Sequence, residues 1–187
     1  MRYGYRHIGL LAAGGVTFAL VAVPGSPAQA APCVPPADGC GTTTVTFDVT
    51  GDGLLMSVPD GPVDLGAGAP GDTTTPVSLG TMTVTDARAG DLVWTCRVQS
   101  TSFTAAGVNP IPASTGRYVP GTVNTNNGTA NSQNSNDMSA NNPIATHAAG
   151  TGNSTSTWTP TMSIVIPNTA QAATDYSGTV THSVTPT

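Results

Sequence analysis

Apolar and polar residues alternate along much of the chain after residue 42, and the polar positions are mostly threonine and serine. The alternation is strictest near the end, where Tyr176, Val180, His182 and Val184 fall on one face. A period of two is the signature of a half-buried β-strand, since successive side chains point to opposite sides of a strand. The sequence therefore predicts an all-β domain.

Turns rich in glycine, proline and aspartate separate these short alternating stretches, which is typical of a β-sandwich. The chain has no lysine after residue 30 and no glutamate, both of which are favoured on exposed helices. We predict an antiparallel β-sandwich over 42–187 with immunoglobulin-like or jelly-roll-like topology. The predicted strands are 43–49, 54–58, 77–85, 92–100, 157–166 and 175–184, with an edge segment at 63–65 and an edge or bulge position at Pro160.

Residues of equal parity on these strands are expected to share one core, and the last strand is expected to pair in the interior of a sheet. The predicted core comprises Phe47, Val49, Leu92, Trp94, Val98, Ile164, Val180 and Val184. The stretch 119–156 breaks the pattern, because it is rich in Asn, Thr, Ser and Gly and poor in large apolar residues. It predicts a long exposed excursion with a short strand near 144–148.

The first thirty residues read as a secretory signal peptide rather than as part of the fold. A basic start precedes an apolar run at 8–23, and Ala28-Gln29-Ala30 has the small-x-small form of a cleavage site. We expect a secreted chain of 31–187, with a cysteine-bearing N-terminal segment at 31–41. No second apolar run is long enough to span a bilayer, so no membrane-spanning segment is expected after cleavage.

The net charge of the secreted chain limits the kinds of binding partner that we expect. Residues 31–187 carry three arginines against ten aspartates, a net charge of −7. Nucleic acid is not an expected partner, because phosphate binding needs a basic patch. An anionic membrane surface is not an expected partner either, for the same reason.

Three cysteines enter an oxidising environment if the chain is secreted. Cys33 and Cys40 can close a small loop, and we favour a disulfide between them. Cys96 faces the same way as Trp94 and is expected to be a buried free thiol. The main rival pairing is Cys40 with Cys96, and a metal site is disfavoured because tetrahedral sites need four paired ligands.

Two tryptophans and one histidine are the candidate ligand-binding residues. Trp94 and Trp158 could stack on sugar rings, although each shares a face with aliphatic neighbours, which favours the core. His182 and Cys96 could form a nucleophilic pair, but no access or orienting third residue is visible, so a core histidine is favoured. We assign no catalytic, cofactor-binding or metal-binding residue.

Three segments in this order resemble the WxL-type cell-surface domains of Gram-positive bacteria and their secreted actinobacterial relatives. They are 63–66 (Val-Asp-Leu-Gly), 91–96 (Asp-Leu-Val-Trp-Thr-Cys) and 176–184 near the end. Trp94 matches the first tryptophan of the family's Trp-x-Leu motif, with Cys96 in place of leucine. In the last strand His182 stands in place of tryptophan and Val184 in place of leucine.

The resemblance implies a β-sandwich that binds peptidoglycan or partner surface proteins without a covalent link. We therefore predict an exported, surface-associated, non-catalytic binding module, secreted and retained at the cell wall. The first alternative is a structural or adhesin-like subunit that pairs through exposed strand edges or the Asn-rich stretch. The second is a secreted hydrolase that gathers Asp, His and Ser from distant segments.

Overall fold

The computed structural model describes residues 44–88 and 90–187, and for Asp91 and Leu92 it describes the backbone. The chain divides into two compact units, Met1–Phe47 and Asp48–Thr187. Of the first unit, residues 44–47 are described and form no strand. The second unit carries every strand of the described chain. The predicted signal peptide and the predicted Cys33–Cys40 disulfide lie outside the described residues.

The described residues form eleven strands and one short 3₁₀ helix at Ala113–Thr115. The strands are β1 (Leu54–Ser57), β2 (Val77–Ser78), β3 (Met82–Asp86), β4 (Asp91–Ser100), β5 (Gly116–Val119), β6 (Asn124–Thr125), β7 (Thr129–Ser132), β8 (Asn142–Thr151), β9 (Ser154–Trp158), β10 (Thr161–Ile164) and β11 (Val180–Pro186).

All strand pairs are antiparallel, and they build three sheets that pack together. Sheet I has the order β1-β3-β9-β6, sheet II the order β2-β10-β5, and sheet III the order β11-β4-β8-β7. This architecture confirms the predicted all-β sandwich, with the small sheet II as an addition to the two-sheet arrangement that the sequence suggested. No helix in the described part of the chain has the length and apolar character needed to cross a bilayer.

Sheets I and III face each other across the main core. Trp94 on β4 stacks near Trp158 on β9, with 6.5 Å between ring centroids. The Cys96 sulfur on β4 meets the Met56 sulfur on β1 at 3.9 Å. Because β4 and β8 occupy the interior of sheet III, their inward side chains are covered on both flanks, and Trp94, Cys96, Val98 and Ile144 are fully buried.

The predicted core is right at its centre and wrong at its N-terminal end. Trp94, Val98 and Ile164 are buried, and Val180 and Val184 are half-buried against the same cluster. Phe47 and Val49, in contrast, are 84% and 75% exposed. The predicted strand 43–49 does not form over its described residues, because alternation specifies a face but supplies no partner strand. The inward position predicted for Leu92 concerns a side chain outside the description.

Two predicted strands are each divided between sheets. Gly80, at φ 87°, separates β2 in sheet II from β3 in sheet I within the predicted strand 77–85. Pro160 separates β9 in sheet I from β10 in sheet II within 157–166. Proline lacks the N–H that a continuous ladder requires, so the chain changes sheets there. The predicted edge segment at 63–65 is a loop.

The stretch 119–156 was predicted to be a long exposed excursion, and more than half of its residues are exposed, but it takes part in the sheets. It contains β6, β7 and β8 and the start of β9, and the apolar side chains of Val123, Met138 and Ile144 within it are buried. The strand predicted near 144–148 is confirmed as the middle of β8. Backbone ladders do not need apolar side chains, so strands rich in Asn, Ser and Thr can form wherever neighbours supply the burial.

The last strand is shorter than predicted and occupies another position. β11 begins at Val180 and is a terminal strand of sheet III, pairing with β4 alone among the described strands. It was predicted to lie in the interior of a sheet. Its inward residues Val180, His182 and Val184 are accordingly only half-buried.

Candidate functional site

The aromatic residues singled out from the sequence form a buried row between sheets III and I. Trp94 lies directly opposite His147 in the β4–β8 register, and their rings stack at 5.5 Å with an interplanar angle of 7°. Trp158 stacks near the same indole at 24°. Trp94 is completely buried and Trp158 is 2% exposed. Neither indole face is therefore open to a sugar ring, and both act in packing.

His147 was not predicted as a candidate site residue, although it connects the buried aromatic row to the Asn- and Thr-rich stretch 119–156. Its Nε2 hydrogen-bonds the Asn127 carbonyl oxygen at 2.6 Å, across the turn between β6 and β7. An added Cβ at Gly150 would lie 2.7 Å from the imidazole, so the glycine leaves room for the ring. The only sequence signal was a histidine placed within the short predicted strand, which is a weak indication of burial.

His182 lies away from the tryptophans and pairs with another residue that the sequence did not reveal. Its Nε2 and the Tyr118 hydroxyl share a hydrogen bond of 3.0 Å, and the two rings lie 5.5 Å apart. Desolvation lowers the pKa of His182 from 6.5 to about 4. Burial also raises the pKa of the Tyr118 phenol, which is fully buried. At neutral pH this pair is uncharged.

Cys96 is a buried free thiol, as predicted. Burial raises its pKa to about 12, and its nearest polar neighbours are the Met56 sulfur and the Arg97 carbonyl, each at 3.9 Å. Among the hydrogen bonds of the described residues, none joins Cys96 to His182. A thiol that is protonated and closed to solvent is poorly suited to nucleophilic attack, since the thiolate is the reactive form.

A buried carboxylate closes the corner where β3 of sheet I leads into β4 of sheet III. Arg88 donates from Nε and Nη2 to the two oxygens of Asp86, at 2.8 and 2.6 Å, and Nη2 also donates to the Val93 carbonyl at 3.0 Å. The hydrogen bond from Arg88 holds the pKa of Asp86 below its usual value, although burial opposes this. Both carboxylate oxygens of Asp86 accept hydrogen bonds from Arg88, which indicates that the pair stabilises the connection between the two strands.

An open groove lies at the surface where the end of β4 meets the segment leading into β11. It has a volume of about 360 Å³ and is lined by Thr101, Ser102, Thr104, Ser177, Gly178 and Thr179. All six residues are exposed, and none is charged. Hydroxyl groups both donate and accept hydrogen bonds, so this lining suits a neutral ligand rich in hydroxyl or amide groups.

The groove has a fixed backbone. Thr104 and Ser177 exchange two backbone hydrogen bonds of 2.9 Å, and the Thr101 hydroxyl accepts from the Thr179 N–H at 2.9 Å. A Cβ added at Gly178 would lie 2.7 Å from the ring of Phe103, so only glycine lets the segment press on that buried ring. The sequence gave no hint of residues 101–104, because exposed serine and threonine are common throughout the chain.

No protein-family model matches the chain, and no curated protein or solved structure is significantly similar to it. Within 44–88 and 90–187, no group of three or more His, Cys, Asp or Glu side chains is gathered as a metal site would require. Of the groups described above, Cys96 and the His182–Tyr118 pair are largely buried and Asp86 is paired with Arg88, whereas the open groove is lined by uncharged residues.

Proposed function

We propose that this protein is an exported, surface-associated, non-catalytic binding module, and that the hydroxyl-lined groove is its ligand-binding surface. The ligand class is the neutral, hydroxyl- and amide-bearing surface of peptidoglycan, with partner surface proteins as the other class that the family resemblance implies. The observation that carries the proposal is the groove lined by residues of 101–104 and 177–179, whose lining is exposed and uncharged and whose two sides are joined by backbone hydrogen bonds. Ser177, Gly178 and Thr179 of the groove belong to the final segment, 176–184, on which that resemblance partly rests.

Under this proposal, Trp94 and His182, which carry part of the family resemblance, have structural roles and do not contact the ligand. Trp94 is buried, so it supports the sheet and does not touch a ligand. His182 faces Tyr118 inside the sandwich and holds the start of β11 in place. Any contribution of either residue to wall binding is therefore indirect, through the position of the segment that carries Ser177 and Thr179.

Pelleting with purified peptidoglycan tests the proposal. The wild-type protein should pellet saturably, and the double variant Ser102→Asp/Ser177→Asp should lose most of that binding, because two carboxylates would be placed in a neutral groove that must be desolvated. Thr75→Asp/Asn134→Asp is the matched control, since it adds the same two charges at exposed residues outside the groove. All three proteins should melt at similar temperatures.

The proposal fails if wild-type protein stays in the supernatant, or if the groove variant pellets as well as the control. Fractionation of the native host into medium, wall and membrane gives an independent check, with recovery in the wall fraction expected. Pelleting with intact walls but not with purified peptidoglycan would favour a partner surface protein over the polymer.

A structural or adhesin-like subunit is the second candidate. The observation in its favour is the set of terminal strands that pair with one neighbour among the described strands, of which β11 is the longest, together with the exposed apolar side chains at 45–63. Concentration-dependent self-association without any wall material would favour this role.

A further inference from the structure

Asn127 and Gly128 form the single Asn-Gly dipeptide of the chain, and they lie in the turn that leads from β6 to β7. In an unfolded chain, an asparagine before glycine readily loses its side-chain amide, because glycine has no Cβ to hinder attack by its own backbone nitrogen. The dipeptide is therefore a candidate for spontaneous modification, and the contacts around it decide when the reaction can occur.

The fold requires glycine at position 128. Its φ is 82°, in the left-handed region that favours glycine. A Cβ added there would lie 2.7 Å from the Ala148 carbonyl oxygen and 2.8 Å from both the Gly150 nitrogen and the His147 Nε2. The backbone of β8 thus passes too close to the turn for a larger residue.

The fold also uses the side-chain amide at position 127. The Asn127 Nδ2 donates to the carbonyl oxygens of Thr151 and Asn153, at 2.5 and 3.2 Å. Its Oδ1 accepts from the Thr151 N–H at 3.4 Å. An amide offers donor and acceptor in one plane, so Asn127 connects the β6–β7 turn to the turn between β8 and β9.

The main chain of Asn127 is held as well. Its carbonyl oxygen accepts from the Thr125 hydroxyl at 2.9 Å and hydrogen-bonds the His147 Nε2 at 2.6 Å. Because the His147 ring stacks on Trp94, the turn is connected through this ring to the core. The asparagine is thus restrained through both its side chain and its backbone, and it is half-buried.

We propose that Asn127 is a site of self-modification by deamidation, which the closed turn restrains and which local opening of the turn permits. The Gly128 backbone nitrogen gives its proton to water and attacks the Asn127 Cγ. The bond between Cγ and Nδ2 breaks, Nδ2 takes up a proton and leaves as ammonia, and a cyclic succinimide remains. Water then opens the ring at either carbonyl, which gives aspartate or isoaspartate.

The hydrogen bonds of Asn127 explain the restraint. When Cγ becomes tetrahedral, its oxygen and nitrogen leave the plane of the amide, so they cannot keep their hydrogen bonds to Thr151 and Asn153. The backbone contacts with Thr125 and His147 also limit the approach of the Gly128 nitrogen. The reaction therefore needs these bonds to break together, and its rate in the folded chain depends on how often the turn opens.

The modification also prevents the turn from closing again. A carboxylate has no N–H, so it cannot donate to the carbonyl oxygens of Thr151 and Asn153, and its negative charge would face them. Isoaspartate in addition adds a methylene to the main chain of the turn. Because ammonia is lost, refolding does not reverse the change, and the modified fraction reports how long the turn has been open. The inference is independent of peptidoglycan binding.

Peptide mapping of the full secreted chain at mildly alkaline pH tests the proposal. In urea, Asn127 should lose its amide faster than any other asparagine, and both aspartate and isoaspartate should appear. In the native chain, the conversion of Asn127 should be at least about tenfold slower, because the closed turn is the dominant state. The proposal is overturned if native and unfolded chains are converted at equal rates, or if another asparagine is modified first in urea.

Asn127→Asp reproduces one product of the reaction, and Asn126→Asp is the matched control. Asn126 is exposed, and its Oδ1 accepts from the Thr155 N–H at 2.8 Å, a bond that a carboxylate retains. Asn127→Asp should lower the melting temperature by about 5 °C, whereas Asn126→Asp should melt like wild type.

Deamidated wild-type protein provides a second measurement that needs no variant. After separation from the unmodified chain by anion exchange, it should melt below wild type by a similar amount. Equal melting temperatures for modified and unmodified chains, or for the two variants, would overturn the proposed role of the amide. If Asn127→Asp fails to fold, the rates and the melting of the deamidated wild-type chain decide the question.

Discussion

Trp94 and His147 stack face to face at directly opposite positions of β4 and β8, with rings 5.5 Å apart and only 7° from parallel. The contact joins β4, which alternates apolar and polar residues clearly, to β8, which lies within the polar stretch 119–156. His147 in turn hydrogen-bonds the Asn127 carbonyl, so the ring connects the core to the β6–β7 turn. The pair explains why a segment rich in Asn, Ser and Thr is part of the sandwich.

The first prediction concerns the size of Trp94. Its side chain is fully buried and stacks on two rings, so Trp94→Ala should lower the free energy of unfolding by about 3–5 kcal/mol. Trp94→Phe should cost less, because it keeps an aromatic ring and removes an indole N–H that has no partner among the described residues. Urea denaturation measures both, and a loss below about 1 kcal/mol for alanine would contradict the packing role.

The second prediction concerns the site at which chymotrypsin first cleaves the folded chain. Phe47 is 84% exposed and lies in residues 44–53, which form no strand, whereas Tyr176 is half-buried and the other described aromatic residues, Trp94, Phe103, Tyr118 and Trp158, are buried. Limited digestion of the secreted chain should therefore cut first after Phe47 and leave the sandwich assembled, since cleavage requires a locally open backbone. Mass spectrometry identifies the site, and Phe47→Ala should remove that cut. A first cut after Leu55 in β1 or after Tyr176 would contradict the expectation.

The third prediction concerns the loss of stability at acid pH. The native pKa of His182 is lowered to about 4, while an unfolded histidine titrates near 6.5. Below pH 6.5 the unfolded state therefore binds a proton that the native state does not, so stability is full above this value and falls as pH drops toward 4. The loss due to His182 should reach at most about 3 kcal/mol.

Urea midpoints of wild type and His182→Gln at pH 7, 5.5 and 4.5 measure this effect. The wild-type midpoint should fall with pH, and the variant should show a shallower fall because glutamine does not titrate. Loss of the Asp86–Arg88 pair belongs to a lower range, since the pKa of that carboxyl is held below 3.8. Parallel curves for the two proteins between pH 7 and 4.5 would refute the assignment to His182.

The fourth prediction concerns Cys96. Its thiol is buried and its pKa is raised to about 12, so it should resist a water-soluble thiol reagent at pH 8 and react once the chain is unfolded. If Cys33 and Cys40 form the predicted disulfide, the unfolded chain should show one reactive thiol, and peptide mapping should place it at Cys96. A mapped Cys40–Cys96 bond would overturn both the pairing and the free thiol.

Much of the fold class and of the central core could be predicted because alternation is a local property. The parity of Trp94, Cys96 and Val98 on β4 specifies which side chains face inward, whatever strand comes next. The same reasoning failed for Phe47 and Val49, which have the right alternation but no neighbouring strand. The groove at 101–104 and 177–179 could not be predicted, because it joins residues more than seventy positions apart through one pair of backbone hydrogen bonds.

The sequence by itself determined that much of the chain forms strands and which face of β4 is apolar, and it marked Pro160 as an irregular position, whereas the interruption at Gly80 was not predicted. Only the tertiary structure decided which strands are interior and which are edges. Pairing depends on backbone groups that are alike at every residue, so the choice of partner comes from the packing of the whole domain. That choice buried Ile144, Ala145 and His147 within the polar stretch, and it made β11 a terminal strand of sheet III among the described strands.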